Sequence, residues 1–394
     1  MAYASANRTG LYRAKETVWG VVPTSPVWIE TRMTGESMND NLTTEISKEL
    51  RQDRMIPDLI PVDASPGGSF NIEMSPASFD DLIESALMST WGAELNIASS
   101  VIAAATGAGP HFTASSGTPF SAVVVGQWVK VAGFANAGNN GYFKVTAIGG
   151  SGANLTVTPP PSTVEAAGAA VTFDGSILRN GITEQSWSLL KIFNDATVAT
   201  RHLFSGMRVK TFSLDMQTAS ILNGAFGFAG KSGEWKETTE AGETFTAAST
   251  TGIMNCVQSV QDLLQDGGVV GSPGCVMSAS MELDNQHREQ KGIGVLGNVG
   301  VKAGTLKVTM NMSIYFESKA QADKFTAGTA FSFSYRLEDT ITGAAYVITL
   351  PRCKFESFTA DASGQDTDVM AETSAQATRD PTTNCMIQID RFTA

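Results

Sequence analysis

The chain has 394 residues, enough for two or three domains with full cores. Only 17% are charged and the formal net charge is −12, which argues against a general nucleic-acid binder, because neutralising phosphates needs clustered Lys and Arg. Abundant Gly, Ala, Ser and Thr fit a β-rich structural protein better than a helical one.

Residues 1–27 read as an irregular N-terminal arm, with Pro23 and Pro26 fixing extended backbone. A strand pair is predicted at Ile29–Thr34 and Thr43–Leu50, followed by a loop from Arg51 to Gly67. That loop carries Met55, Ile56, Leu59 and Ile60, and a long loop with such apolar side chains is expected to dock on something. Gly68–Met74 then reads as a strand, and Phe79, Leu82, Ile83, Ala86 and Leu87 fall on one face of a helix introduced by Ser75-Pro76.

Residues 97–175 are nearly free of acidic side chains and read as an inserted, small-barrel β module. Its predicted strands are Val123–Val125, Trp128–Val131, Tyr142–Thr146, Leu155–Thr158 and Ala170–Phe173, with Asp174-Gly175 closing it. Beyond it, Met207–Met216 alternates as a long half-buried strand should. Lys231–Thr251 reads as a polar linker, and Ile253, Val257, Val260, Leu263 and Leu264 predict a short helix. Arg288–Ala303 is a second hairpin loop, with Val295, Leu296 and Val299 near its tip.

The chain also repeats itself. Gly68–Met74 returns as Gly304–Met310, each followed by a helical pattern, Phe79–Leu87 and then Ser318–Phe325. Ser186–Phe212 returns as Ser332–Phe355. The first pair lies about 236 residues apart and the second about 144, so the first copy holds roughly 90 extra residues. The expected organisation is therefore an arm at 1–27, a first unit at 28–96 and 176–232, the insert at 97–175, a linker at 233–274 and a second unit at 275–394. A duplicated unit points to a ring-forming or pseudo-two-fold structural protein more readily than to an enzyme with one cleft.

Chemical motifs are weak. Ala225–Ser232 matches a relaxed phosphate-binding loop at Gly230-Lys231, but no apolar-faced helix follows to cradle a phosphate. His111, His202 and His287 have no Cys, Asp or Glu at ligand spacing. Asp361, Asp366 and Asp368 lack the closing Glu of a calcium loop. Cys256, Cys275, Cys353 and Cys385 are widely spaced and read as reduced thiols. No cofactor or metal is expected. There is no charged-then-apolar leader and no apolar run near ~18 residues, so cytosolic synthesis without membrane anchoring is expected.

The order of several segments carries a resemblance. They are Glu16–Gly20, Arg32–Ser37, Phe204–Val209, Tyr346–Phe355 and Gly364–Ala371, with Gly126–Gly133 and Asn139–Val145 inside the insert. In that order they resemble the tail tube (major tail) proteins of long-tailed bacteriophages with non-contractile tails. The resemblance implies a mainly β fold of two tail-tube sandwich or barrel units, with short helices and the inserted module. It also implies a homotrimer with six pseudo-equivalent units per ring, and rings stacked into a virion tail tube that is assembled in the host cytoplasm. Tape measure, tail tip and tail terminator proteins are the implied partners, and DNA would cross the lumen without specific binding. On this reading Met55, Ile56, Leu59, Ile60, Val295, Leu296 and Val299 contact the next ring. Glu45, Lys48, Glu73, Glu282, Asp284 and Lys307 line the lumen. A virion decoration or baseplate protein is the nearer rival, and a nucleotide-binding enzyme acting through Lys231 the more distant one.

Overall fold

The computed structural model describes residues 3–195, 199–271, 275–362 and 364–393. Its first stretch holds β1 (Thr9–Lys15), β2 (Val27–Glu30), β3 (Gly35–Glu36), β4 (Leu42–Ile46), β5 (Leu59–Ala64), β6 (Gly67–Glu73) and helix α1 (Asp80–Leu87). A module follows: β7 (Leu95–Ser99), β8 (Ile102–Ala104), β9 (Phe112–Ala114), β10 (Trp128–Ala132), β11 (Gly141–Gly149), β12 (Asn154–Thr158) and β13 (Val171–Arg179). The chain returns through β14 (Trp187–Phe193), β15 (Thr200–Gln217), β16 (Asn223–Ala229), β17 (Ser232–Lys236) and β18 (Thr244–Thr246). The last third begins with β19 (Val260–Gln265), β20 (Gly268–Val269), β21 (Val276–Asp284), β22 (Arg288–Gln290), β23 (Gly300–Lys302) and β24 (Lys307–Tyr315). It ends with helix α2 (Ala320–Ala327), β25 (Phe331–Glu338), β26 (Ala345–Asp361), β27 (Met370–Ala377) and β28 (Gln388–Phe392).

The repeat seen in the sequence is a repeat of strand pairing. β1 pairs with β14, β14 with β15, and β15 with β16 and β17, while β6 pairs with β16. In the same chain order β19 pairs with β25, β25 with β26, and β26 with β27 and β28, while β24 pairs with β27. Helix α1 lies on β15 as α2 lies on β26. The two longest strands, β15 and β26, each cross from one set of partners to another: the first half of β15 pairs with β14 and β17 and the second with β16 and β21, while the first half of β26 pairs with β25 and β28 and the second with β27. At the crossing in β15, Gly206 has φ +69, and a Cβ there would come within 2.7 Å of Lys231 Cβ, so the bend requires glycine.

A single core joins the repeats. Phe70, Phe212 and Phe226 from the first lie in one buried cluster with Met281, Leu283, Met310 and Leu350 from the second. Helix α1 inserts Leu82, Ile83, Ala86 and Leu87 into that cluster and places Asp80 and Asp81 in its first turn, where the helix dipole favours carboxylates. The module has its own core around Phe112, Phe120, Phe143 and Phe173.

Several expectations change. The sheets are large and open. In the module the order β7-β13-β10-β11-β12-β9-β8 leaves the two end strands unjoined, so the expected small barrel is a curled sheet. Val123–Val125 is not a strand, and Asp174-Gly175 lies inside β13 rather than in a turn, because β13 continues out of the module to pair with β28. Residues 1–27 are not all irregular: β1 is fully paired, with Leu11 buried. The two strands predicted near Ile29 and Thr43 do not pair with each other; β2 joins β1 and β18, and β4 joins β5. Part of the Arg51–Gly67 loop is therefore the strand β5. Helix α1 starts at Asp80 instead of near Ser75, and the helix predicted over Ile253–Leu264 is instead a turn followed by the strand β19, held by β25. The polar linker after Lys231 contains β17 and β18. Residue 274, the expected end of that linker region, lies outside the described residues.

Candidate functional site

The inner sheet runs β6-β16-β15-β21-β24-β27-β26, and its two faces differ completely. Inward residues are mostly Phe, Ile, Leu, Val and Met, with Ala371, Thr373, Ala375 and Ala377 on β27; the alternate residues are mostly small or polar, as period-two strands with one solvated face require. Cross-strand rows on the polar face read Thr211, Asp284, Lys307; then Asn71, Ala225, Ser213, Glu282, Thr309, Gln376, Lys354; then Glu73, Asn223, Asp215, Ser280, Asn311, Ser374, Ser357. Seven carboxylates, Glu73, Asp215, Glu282, Asp284, Glu356, Asp361 and Glu372, face three lysines, Lys210, Lys307 and Lys354, so the surface is net acidic. All three lysines lie toward one margin, and the opposite margin carries only carboxylates and neutral groups. Burial raises the pKa of Asp215 above the ordinary carboxylate value.

The two ends of this sheet are open in complementary ways. In its middle β21 pairs with β24 of its own repeat on one edge and with Thr211–Gln217 of β15 on the other. At one end β3 pairs with β6 as β21 pairs with β24, but its other edge has no strand partner among the described residues. At the other end Phe355–Asp361 of β26, the counterpart of the β15 segment, has β27 as its one strand partner among the described residues. Exposed strand edges of this kind template pairing with another chain.

Two hairpins project side by side. β4–β5 exposes Leu42, Ile46, Met55, Ile56, Leu59 and Ile60, and β22–β23 exposes Ile293, Val295, Leu296 and Val299. Lys291 Nζ joins their bases, reaching Asp63 Oδ1 at 2.7 Å, the Ala64 carbonyl at 2.7 Å and Ser65 Oγ at 3.0 Å. The tip of β22–β23 rests on the β16–β17 turn, where Asn298 Nδ2 donates to the Gly230 carbonyl at 2.7 Å. Gly297 (φ +107) packs so close to the Lys231 carbonyl that a Cβ would lie 2.8 Å from it.

The sequence pattern of phage tail tube proteins matches residues 6–377, nearly the whole chain. The chain belongs to the phage tail tube protein family. No curated protein matches it. Membership makes it a structural component of the virion tail that self-assembles into a tube, in a family that is not an enzyme family.

As a tail tube protein, the chain places its predicted residues in two groups. Glu73, Glu282, Asp284 and Lys307 lie on the polar face, whereas Glu45 and Lys48 belong to the detached β4–β5 hairpin region. Met55, Ile56, Leu59, Ile60, Val295, Leu296 and Val299 all come together in the exposed hairpin pair. Lys231 stands in a β-turn with its ammonium 5.3 Å from the Trp19 ring, and the strand β17 follows it. His202 accepts or donates a 2.9 Å hydrogen bond to Asp40, which is 162 residues away and therefore invisible to motif spacing. Burial lowers the pKa of His202 against the pull of Asp40. Among the described residues no group of three His, Cys, Asp or Glu side chains could hold a metal ion. All four cysteines are free, and no described helix is long and apolar enough to cross a membrane.

Proposed function

We propose that three copies join into a ring of six repeats, with the polar sheet face lining a channel, and that stacked rings form the hollow tail tube of a siphovirus through which DNA reaches the host. One observation carries this reading. The seam between β15 and β21 joins one repeat to the next within the chain, and the same two edges stand open at Phe355–Asp361 and at β3. Repeating that seam between chains would cover the two open edges at Phe355–Asp361 and at β3, and covering edges is what keeps such a sheet from unregulated pairing.

The net-acidic face suits passage of DNA, because an attractive wall would hold phosphates through counterion release. The apolar hairpin pair is the contact to the next ring, a heterologous contact that propagates along an axis. The inserted module lies on the outside of the tube. Assembly takes place in the host cytoplasm with a tape measure protein inside the tube and tail tip and terminator proteins at its ends. Mass measurement of isolated rings, with electron microscopy of the same sample, tests the proposal. Three chains per hollow ring are expected; six chains, or a chain that stays monomeric while its phage assembles tails, would overturn it.

A further inference from the structure

Helices α1 and α2 are counterparts in different surroundings. Each spans eight residues and closes on a left-handed residue, Met88 in one and Gly328 in the other. Counting back from these caps pairs Asp80 with Ala320. α1 buries Leu82, Ile83, Ser85, Ala86 and Leu87, whereas α2 has no buried residue. Part of that difference comes from the second repeat, which grips both ends of α1. Arg391 Nη1 donates to Asp80 Oδ2 at 2.8 Å, the Tyr346 hydroxyl donates to Asp80 Oδ1, and Asn285 Nδ2 donates to the Ala86 carbonyl at 2.9 Å.

The first repeat offers the matching face. Tyr346 and Arg391 are cross-strand neighbours on β26 and β28, and the equivalent neighbours on β15 and β17 are His202 and Trp235. Trp235 is 55% exposed, a high value for an indole stacked on His202 at 4.0 Å and on Phe193 at 6.0 Å. Phe193 also borders an open groove of about 760 Å³, which Gly35, Glu36 and Lys191 help to line. Lys191 pairs with His202 as Leu337 pairs with Tyr346, so the β14 wall of the groove, with Lys191 and Phe193, lies beside the His202–Trp235 face as β25 lies beside the face that holds α1.

We propose that α2 of one copy docks in this groove on the first repeat of the next copy, with its N-terminal end over Trp235. The proposal rests on the ring reading, since it needs neighbouring chains to meet as the two repeats do. The chemistry changes from one seam to the other. α1 presents the Asp80 carboxylate to a guanidinium, whereas α2 begins with the 84%-exposed side chain of Lys319, ion-paired to Asp323 of its own helix at 3.3 Å, whose ammonium suits the face of an indole.

Chains carrying Ala320→Cys or Trp235→Cys, both with Cys256→Ser, should be mixed under assembly conditions and treated with a short bis-maleimide. Covalent dimers are expected in the mixture and in neither chain alone. Rings seen by microscopy without that cross-link would overturn α2 docking and leave the ring reading standing; absence of rings from the unsubstituted chain would remove both. A readout on the otherwise natural chain guards against misfolding of the cysteine variant. Tryptophan emission should shift to the blue and lose acrylamide quenching on assembly, and Trp235→Phe should abolish most of that change. A Trp235 that stays fully quenchable in assembled rings overturns the proposal.

Discussion

Gln265 and Gln321 exchange two amide hydrogen bonds, at 3.1 and 2.8 Å, between strand and helix of the second repeat, where the first repeat joins the same elements by the Arg13–Asp81 ion pair. The two ties differ in what they leave behind when cut. Arg13 is almost fully buried and also donates to Thr31 Oγ1 at 3.1 Å and to the Ser78 carbonyl at 3.0 Å. Arg13→Ala strands a carboxylate and two acceptors, and should cost about 2–4 kcal/mol. Gln265→Ala removes a neutral, half-buried pair and should cost about 1 kcal/mol. Denaturant midpoints of the two variants test this, and equal losses would contradict it.

Proline on the free edge of β26 separates folding from assembly. Thr359 and Ala360 are adjacent, so one directs its N–H toward β27 and the other away from it. Proline at the outward position should leave circular dichroism unchanged and keep the protein monomeric in sedimentation, because an edge strand tolerates it. Proline at the other position should destabilise the fold by about 3 kcal/mol. A folded outward-proline variant that still forms rings would show that this edge is not an interface.

Charge at the hairpin tips should act one level higher. Ile56→Asp with Leu296→Asp alters side chains that are 67% and 55% exposed, so stability should move by no more than about 0.5 kcal/mol per site. Rings should form and fail to stack. Tubes of ordinary length in micrographs of this variant would exclude the hairpins from stacking.

Two buried groups set the pH response. Burial pushes Asp390 up to about 8, and burial with the nearby Arg208 pulls His287 down to about 4. Asp390 is held protonated in the fold, so its contribution is fully present below the ordinary Asp value and is lost as pH rises toward 8. His287 is held neutral, so its contribution is present above the ordinary His value of about 6.5 and is lost as pH falls toward 4. Between about 4 and 6.5 the two slopes oppose each other; from about 6.5 to 8 only Asp390 acts, and stability should fall. Asp390→Asn should flatten that upper limb in urea titrations, and an unchanged slope would rule out Asp390 as its source.

What could be seen from the sequence was what repeats or alternates locally. The apolar spacing of Leu82, Ile83, Ala86 and Leu87 fixed α1, and the alternation through Met207–Met216 marked the inner half of β15, since each pattern is written in neighbouring residues. The repeat of Arg208 at Arg352 marked two strands that do occupy matching places. β19 misled because Val260, Leu263 and Leu264 have helical spacing, while pairing with β25 through an irregular register overrode it. β1 was hidden because Thr9–Lys15 contains glycine and arginine, and Arg13 is buried only by virtue of Asp81, Thr31 and Ser78 elsewhere in the chain. The open edges were not legible at all. An edge is defined by which partner is missing, and only the assembled sheet reveals that.

The shared core has a kinetic consequence. Because β21 is laid against β15 as the chain folds, each monomer already holds one closed seam, and three such monomers supply half of the six seams of the proposed ring. Loop closure within one chain presents β21 to β15 at an effective concentration of the millimolar order, far above that of free protomers in a cell. Closure of the proposed ring would then scale with the third power of protomer concentration, where six unfused single repeats would require the sixth.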